Sequence, residues 1–395
     1  MILMLNDMKI HVCLSIFLYL TLTIADVVVD EHLTLSELYE SAVDAYLNEE
    51  WEECIERFTE ALRGYKNYKQ AIITCRRSCA SEAEGTQPFY RENIDDFHFY
   101  ERKVRETLCL MKCNQDYEDV VNGRKLRLSS EVENKFIERR TYEYLHICYY
   151  QRNHFQDAAN AVFTFLVLHP HHNMSVNTLK YYLTLPDVRA DNVTNLELEN
   201  FLNAYISGMS EYENENYKKA IKLFEKSLRD YLESEEQCRI YCDGSFNQGW
   251  HPEFTSSVAN HFAYCLKCKR SCSRYLNYVN GEFRNDLLRS HYNYLQYAYY
   301  KLGNLAAASR AVESYLLFDP VDETMLNNKN YYLQLPKVGK ESFVPREEAL
   351  SYMKRQEYER RLLRFINEEF TIISAKMKKT PNKQYRKKSK KYKQE

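Results

Sequence analysis

The chain has 395 residues, with 54 Lys+Arg against 56 Asp+Glu and a formal net charge of −2. Near-neutral charge gives no pointer to a nucleic-acid partner, and 45% apolar residues exclude a disordered chain. Glycine (9) and proline (8) are scarce, where an average protein carries roughly 12% of the two, so a collagen-like chain is excluded and long helices with short connections are expected.

Residues 1–25 read as a signal peptide. Lys9 precedes the apolar run Ile10–Ile24, and Ala25 follows as a small residue at the cleavage point. The run is shorter than the ~20 residues a membrane span needs, and no second stretch approaches that length. Two acceptor sequons, at Asn173 and Asn192, fit a secretory route.

The rest of the chain is a duplication. Residues 144–188 match 294–338 at a constant offset of 150. Tyr144-Leu145 returns as Tyr294-Leu295, Tyr149-Tyr150 as Tyr299-Tyr300, and Pro170 as Pro320. Tyr181-Tyr182-Leu183 returns as Tyr331-Tyr332-Leu333, and Leu185-Pro186 as Leu335-Pro336. Upstream, Trp51, Cys54, Ile55 and Phe58 resemble Tyr217, Ala220, Ile221 and Phe224. The first copy is longer, with the extra residues expected in a loop over Ser81–Phe97. The expected divisions are a first half over 26–190, a second over 191–343, a C-terminal helix over 344–375 and a basic disordered tail over 376–395. That tail holds ten Lys/Arg and no acid between Lys376 and Lys393.

Each half carries two helix pairs with tetratricopeptide spacing. A small residue sits where helix B meets helix A, with further core positions four and seven residues on. These sets are Cys54, Phe58, Ala61; Ala158, Val162, Phe165; Ala220, Phe224, Ser227; and Ala308, Val312, Tyr315. Residues at i, i+4 and i+7 share one helix face. Gly208 stands at the close-packing position of the third pair. The expected fold is all-α: a duplicated tetratricopeptide-like solenoid with disulfide-stapled helical inserts.

The inserts are marked by Cys75-x3-Cys79 and Cys109-x3-Cys113, then Cys238-x3-Cys242 and Cys268-x3-Cys272. Cysteines at i and i+4 project from one helix face. Two such helices packed antiparallel set the first cysteine of one beside the last of the other. This predicts Cys75–Cys113, Cys79–Cys109, Cys238–Cys272 and Cys242–Cys268, each closing a loop worth ~3–4 kcal/mol in the chain-entropy model. Four thiolates could instead hold zinc, although an oxidising compartment favours disulfides. Cys54 and Cys148 are expected to be buried and inert, which leaves Cys265 as the odd thiol.

No constellation of catalytic residues emerges, and no cofactor or metal is implied. No two glycines stand two apart, so G-x-G phosphate loops are absent. Among the histidines only His251-Pro252-Glu253 has His-x-Glu spacing, with proline between the two. His169, His171 and His172 crowd around Pro170, but the second copy has Asp319 and Asp322 there. A solvated turn is expected.

With its signal peptide, duplicated helix pairs, four C-x3-C motifs and repeated Tyr-Tyr-Leu-x-Leu-Pro ends, the chain resembles the leprecan family, in its non-catalytic, cartilage-associated branch. The resemblance covers about 33–370. Leprecan enzymes carry a C-terminal dioxygenase domain that 3-hydroxylates collagen prolines, and the chain ends about 50 residues after that domain would begin. The resemblance therefore implies a non-enzymatic helper in the lumen of the endoplasmic reticulum, with secretion as a further route. Its implied partners are a prolyl 3-hydroxylase, a cyclophilin-type prolyl isomerase and procollagen chains, with no nucleic acid and no membrane. A helper for lysyl hydroxylation and a disulfide oxidoreductase are the rival readings. Tyr149, Tyr150, Tyr299 and Tyr300 are candidate docking residues, since aromatic surfaces receive polyproline II chains.

Overall fold

A computed structural model describes residues 33–113, 128–244, 254–279, 281–336 and 338–379. The expected signal peptide, His251-Pro252-Glu253 and the tail beyond Lys379 lie outside them. The described chain is almost wholly helical: α1 (Leu35–Leu47), α2 (Trp51–Gly85), α3 (Phe97–Cys113), α4 (Ser130–Ile137), α5 (Thr141–Gln151), α6 (Phe155–Leu166), α7 (Asn173–Tyr182), α8 (Asn200–Glu213), α9 (Tyr217–Tyr241), α10 (Phe254–Leu276), α11 (Leu287–Lys301), α12 (Leu305–Phe318), α13 (Glu323–Leu333) and α14 (Glu347–Lys379).

The offset of 150 survives in the helix starts. Helix α6 begins at Phe155 and α12 at Leu305; α7 begins at Asn173 and α13 at Glu323. The turns between paired helices repeat as well. Glu49, Asn153, Glu215 and Gly303 all have φ between 59° and 74°, the left-handed geometry that reverses the chain after a helix. The N-caps are local in origin. Thr34 and Glu37 form a reciprocal capping box, and Asp322 accepts from the Met325 amide.

The twelve residues of the tetratricopeptide spacing are all buried, eleven of them at 0% exposure and Tyr315 at 9%. A Cβ built on Gly208 would stand 3.1 Å from the Phe224 ring, so helix α8 meets α9 at close range there.

By Cα proximity the chain forms two compact units. Of the described residues, unit 1 holds 33–72, 112–113, 128–165 and 177–192; unit 2 holds 73–111, 166–176 and those from 193 to 379. In unit 1, Tyr39 meets Phe58 edge-on with centroids 5.7 Å apart, and Phe58 stacks on Tyr144 at 5.7 Å. Unit 2 repeats this with Tyr205 edge-on to Phe224 at 5.8 Å, and Phe224 stacked on Tyr294 at 4.8 Å.

Three local expectations change. Helix α2 runs through Gly85, so the loop expected from Ser81 begins at Thr86; Cys79 and Ala83, both buried, keep one face of the continuing helix packed. A two-stranded hairpin, β1 (Tyr278–Val279) against β2 (Glu282–Phe283), interrupts the all-helical pattern before α11. Asn280-Gly281 is the sequence signal for such a turn, and Gly281 has φ +87°. Finally, α14 extends to Lys379, so the first residues assigned to a disordered tail are helical.

Helix α14 is held in unit 2 by buried ion pairs. Arg346 forks onto Glu225 at 2.6 and 2.8 Å. Burial works against ionisation of Glu225, but the bonds and charge of Arg346 outweigh it, and its pKa falls below the usual carboxylate range. Arg239 reaches Glu359 at 2.5 Å and Glu235 at 3.7 Å, while Arg355 also pairs with Glu235. Burial pushes the Glu235 pKa up despite both arginines. Replacing Arg239 leaves two buried carboxylates without their shared cation. Arg239→Met should destabilise unit 2 by about 3–5 kcal/mol, read by urea unfolding at neutral pH, and Arg239→Met with Glu359→Leu should lose less than the single variant.

Candidate partner-binding surface

The Tyr-Tyr ends of the two copies build the same cluster. In unit 1 the Tyr150 and Tyr181 hydroxyls lie 3.0 Å apart, and Tyr150 stacks on Tyr182 with centroids at 5.2 Å. In unit 2 the Tyr300 and Tyr331 hydroxyls lie 2.9 Å apart, and Tyr300 stacks on Tyr332 at 5.2 Å. The inner tyrosine is anchored from the preceding A helix in both. The Tyr182 hydroxyl and His146 Nδ1 stand 3.1 Å apart, and the Tyr332 hydroxyl donates to Gln296 Oε1 at 2.6 Å. Tyr181 and Tyr331 remain 50% and 47% exposed. In each hydroxyl pair one O–H bonds to the other oxygen, which leaves the second O–H for an outside acceptor. A flat aromatic face beside a free donor suits a chain of proline rings and peptide carbonyls.

The four candidate tyrosines divide into two roles. Tyr150 and Tyr300 belong to these clusters. Tyr149 and Tyr299 fill helix interfaces: Tyr299 donates to Glu225 at 2.8 Å, and Tyr149 stacks on His154 with centroids at 6.2 Å. Burial raises the pKa of both phenols. Sequence reasoning missed Tyr181 and Tyr331 as surface residues. Their signal was present in the repeated Tyr-Tyr-Leu, which ends a helix and so cannot bury both rings.

The structure joins Cys79 to Cys109, Cys238 to Cys272 and Cys242 to Cys268 at S–S distances of 2.00–2.03 Å. Cys75 and Cys113 are disulfide-bonded too. Cys54 and Cys148, expected to be inert, are joined to each other at 2.01 Å across 94 residues. Both are fully buried in unit 1, one on each helix of a packed pair. The second copy carries Ala220 and Ala298 at the corresponding places, and that double replacement was the overlooked signal. Cys265 is the one free cysteine among the described residues; it is buried, 3.4 Å from His261 Nε2. Burial pushes its thiol up to about 11, so it is protonated and a poor nucleophile.

Asn173 and Asn192 are both exposed. His172 caps α7, its Nδ1 standing 2.8 Å from the Ser175 hydroxyl, where Asp322 caps α13. No described helix is long and apolar enough to cross a membrane.

A family model described as the leprecan family TPR-like repeat region matches residues 34–335. The chain belongs to the leprecan family. It is 29% identical to cartilage-associated protein of Mus musculus over 343 residues, 86% of this chain and 85% of that protein. It is 28% identical to endoplasmic reticulum protein SC65 of Homo sapiens over 347 residues, covering 86% and 79%. Prolyl 3-hydroxylase 1 of Mus musculus is also 29% identical over 358 residues, but these are 85% of this chain and 47% of the hydroxylase.

Two predictions follow from the leprecan core. Cys54→Ala with Cys148→Ala copies the second half's own packing yet opens a loop of 94 residues. The pair should lose up to ~4–5 kcal/mol, measured by urea unfolding, with helical circular dichroism intact. The second concerns acid. Burial lowers the pKa of both His146 and His291 to about 4, below the ~6.5 of an unfolded chain. Between those values the unfolded state binds the extra proton, so stability present above pH ~6.5 is lost as pH falls towards 4, on the order of 3 kcal/mol per histidine. His146→Gln reproduces Gln296. It should leave stability at pH 7.5 unchanged and flatten the acid limb, as read by thermal melts across pH.

Proposed function

We propose that this leprecan is a non-catalytic helper subunit of collagen prolyl 3-hydroxylation in the endoplasmic reticulum lumen, working with a prolyl 3-hydroxylase and a cyclophilin-type isomerase. The observation that carries this reading is the tyrosine cluster built twice, once in each copy, with Tyr181 and Tyr331 left half exposed. Its anchoring bonds serve to present two rings and a hydroxyl to an extended chain. Two further facts support it. The similarity to cartilage-associated protein runs through most of both chains, and SC65 is named as an endoplasmic reticulum protein.

The reading is tested by co-purification from cells that secrete collagen, followed by mass spectrometry of collagen made without this chain. The expected outcome is a co-purifying prolyl 3-hydroxylase and cyclophilin, with loss of 3-hydroxyproline. Loss of hydroxylysine with normal 3-hydroxyproline would move the assignment to lysyl hydroxylation. Tyr181→Ala with Tyr331→Ala should weaken binding of a proline-rich collagen peptide about tenfold. Tyr149→Phe should leave it unchanged.

A further inference from the structure

Helix α3 shows an apolar stripe to solvent. Phe97, Tyr100, Val104, Leu108 and Met111 are 59%, 36%, 41%, 57% and 50% exposed. At 100° per residue these five fall within one narrow arc of the helix. The helix packs with its other side, where Leu110 and Cys113 are buried and Cys109 holds Cys79. Phe89, 83% exposed, extends the patch, with the Arg105 guanidinium 4.3 Å over its ring. At roughly 200 Å² per large side chain, several hundred square ångströms of apolar surface lie open, at the upper end for one patch on a monomer.

The duplication supplies the control. Aligning Cys109 and Cys113 with Cys268 and Cys272 places Ser256, Ala259, Ala263, Lys267 and Arg270 at the five stripe positions. The second insert makes the same kind of disulfide-stapled helix pair with small or charged residues at these five positions. Folding of an insert therefore does not require these side chains.

The stripe has a further property: it is symmetric about Val104. Phe97 and Met111 stand seven residues either side of it, and Tyr100 and Leu108 stand four. An antiparallel two-fold axis at Val104 sets each apolar residue at the level of another, which is the condition for an isologous contact. Beside the stripe, Glu101 holds Arg105 at 2.6 Å along the helix, and the axis stacks this pair head-to-tail on its own copy. We propose that α3 is a homodimerisation helix, pairing antiparallel with α3 of a second copy about Val104.

The test uses the full disulfide-bonded chain in sedimentation equilibrium between about 1 and 100 µM. The wild type is expected to dimerise reversibly in that range. Val104→Glu with Leu108→Glu should raise the dimer Kd at least ~100-fold, with circular dichroism and free-thiol count unchanged, as both positions are exposed. Val104→Cys should form an intermolecular disulfide under mild oxidation, and Arg102→Cys, on the far side of the stripe, should not. A wild type that stays monomeric throughout overturns the proposal, as does a dimer indifferent to the double glutamate variant. A monomer that instead binds purified prolyl 3-hydroxylase, and loses that binding in the double variant, also overturns it and gives the face to the partner.

Discussion

The structure depends on close approach at one position in each helix pair: Cys54, Ala158, Ala220 and Ala308, all at 0% exposure. A small side chain there lets helix B lie against helix A, and the residue one turn later then reaches across as a large knob. In α2 and α9 that residue is phenylalanine, and each sits between an edge-on tyrosine and a stacked one. Lengthening the small residue would push the helices apart by more than these rings tolerate, since interiors pack at crystal-like density. Gly208 is the same constraint seen from the A helix, with 3.1 Å between its place and the Phe224 ring.

Given a common frame, the two copies solve the remaining packing in different ways. The first joins Cys54 to Cys148 covalently; the second uses paired alanines there and spends its polar groups elsewhere. Ser227 and His291 stand 2.8 Å apart in unit 2, and His291 donates to the Leu287 carbonyl. Their counterparts in unit 1 are Ala61 and Thr141, and the Thr141 hydroxyl is buried without a partner among the described residues. The second copy also carries α14, tied down by Arg239, Arg346 and Arg355. A cross-link restricts the unfolded chain, whereas a buried ion lattice rewards one arrangement of the folded one. The first copy thus carries one cross-link that the second lacks, and the second an ion lattice that it builds with α14.

This divergence marks what could be read from the sequence. The small-large spacing, the proline ends and the C-x3-C staples are local signals of fixed period, and they placed the helix pairs and the inserts. The Cys54–Cys148 bond was not local: its two residues fall on different helices, 94 positions apart, and only the matching Ala220 and Ala298 link them. The ion lattice was hidden for the same reason, since Glu225 and Glu235 look like ordinary surface acids until α14, which carries Glu359, is laid over them. Tyr149 and Tyr299, named as docking candidates with Tyr150 and Tyr300, contact His154 and Glu225, because period alone does not say whether a half-buried ring faces a neighbour or solvent. The hairpin at Tyr278–Phe283 had a clear Asn-Gly signal and was overshadowed by the helical pattern around it.

On the proposed reading, duplication is itself part of how the protein would hold its substrate. A single pair of tyrosines offers two ring faces and one free hydroxyl, a contact worth only a few kcal/mol before the cost of ordering the ligand. A proline-rich chain repeats its own features at short intervals, so one chain offers the same ring-and-carbonyl pattern to both clusters. For a chain long enough to reach both, the second engagement is intramolecular, and affinity rises through effective concentration without any new kind of contact. Such a grip holds a long chain and releases a short one, since each site alone exchanges quickly. That discrimination needs no catalytic group. It needs Tyr182 and Tyr332 anchored alike, which is what His146 and Gln296 achieve by different chemistry at the same place.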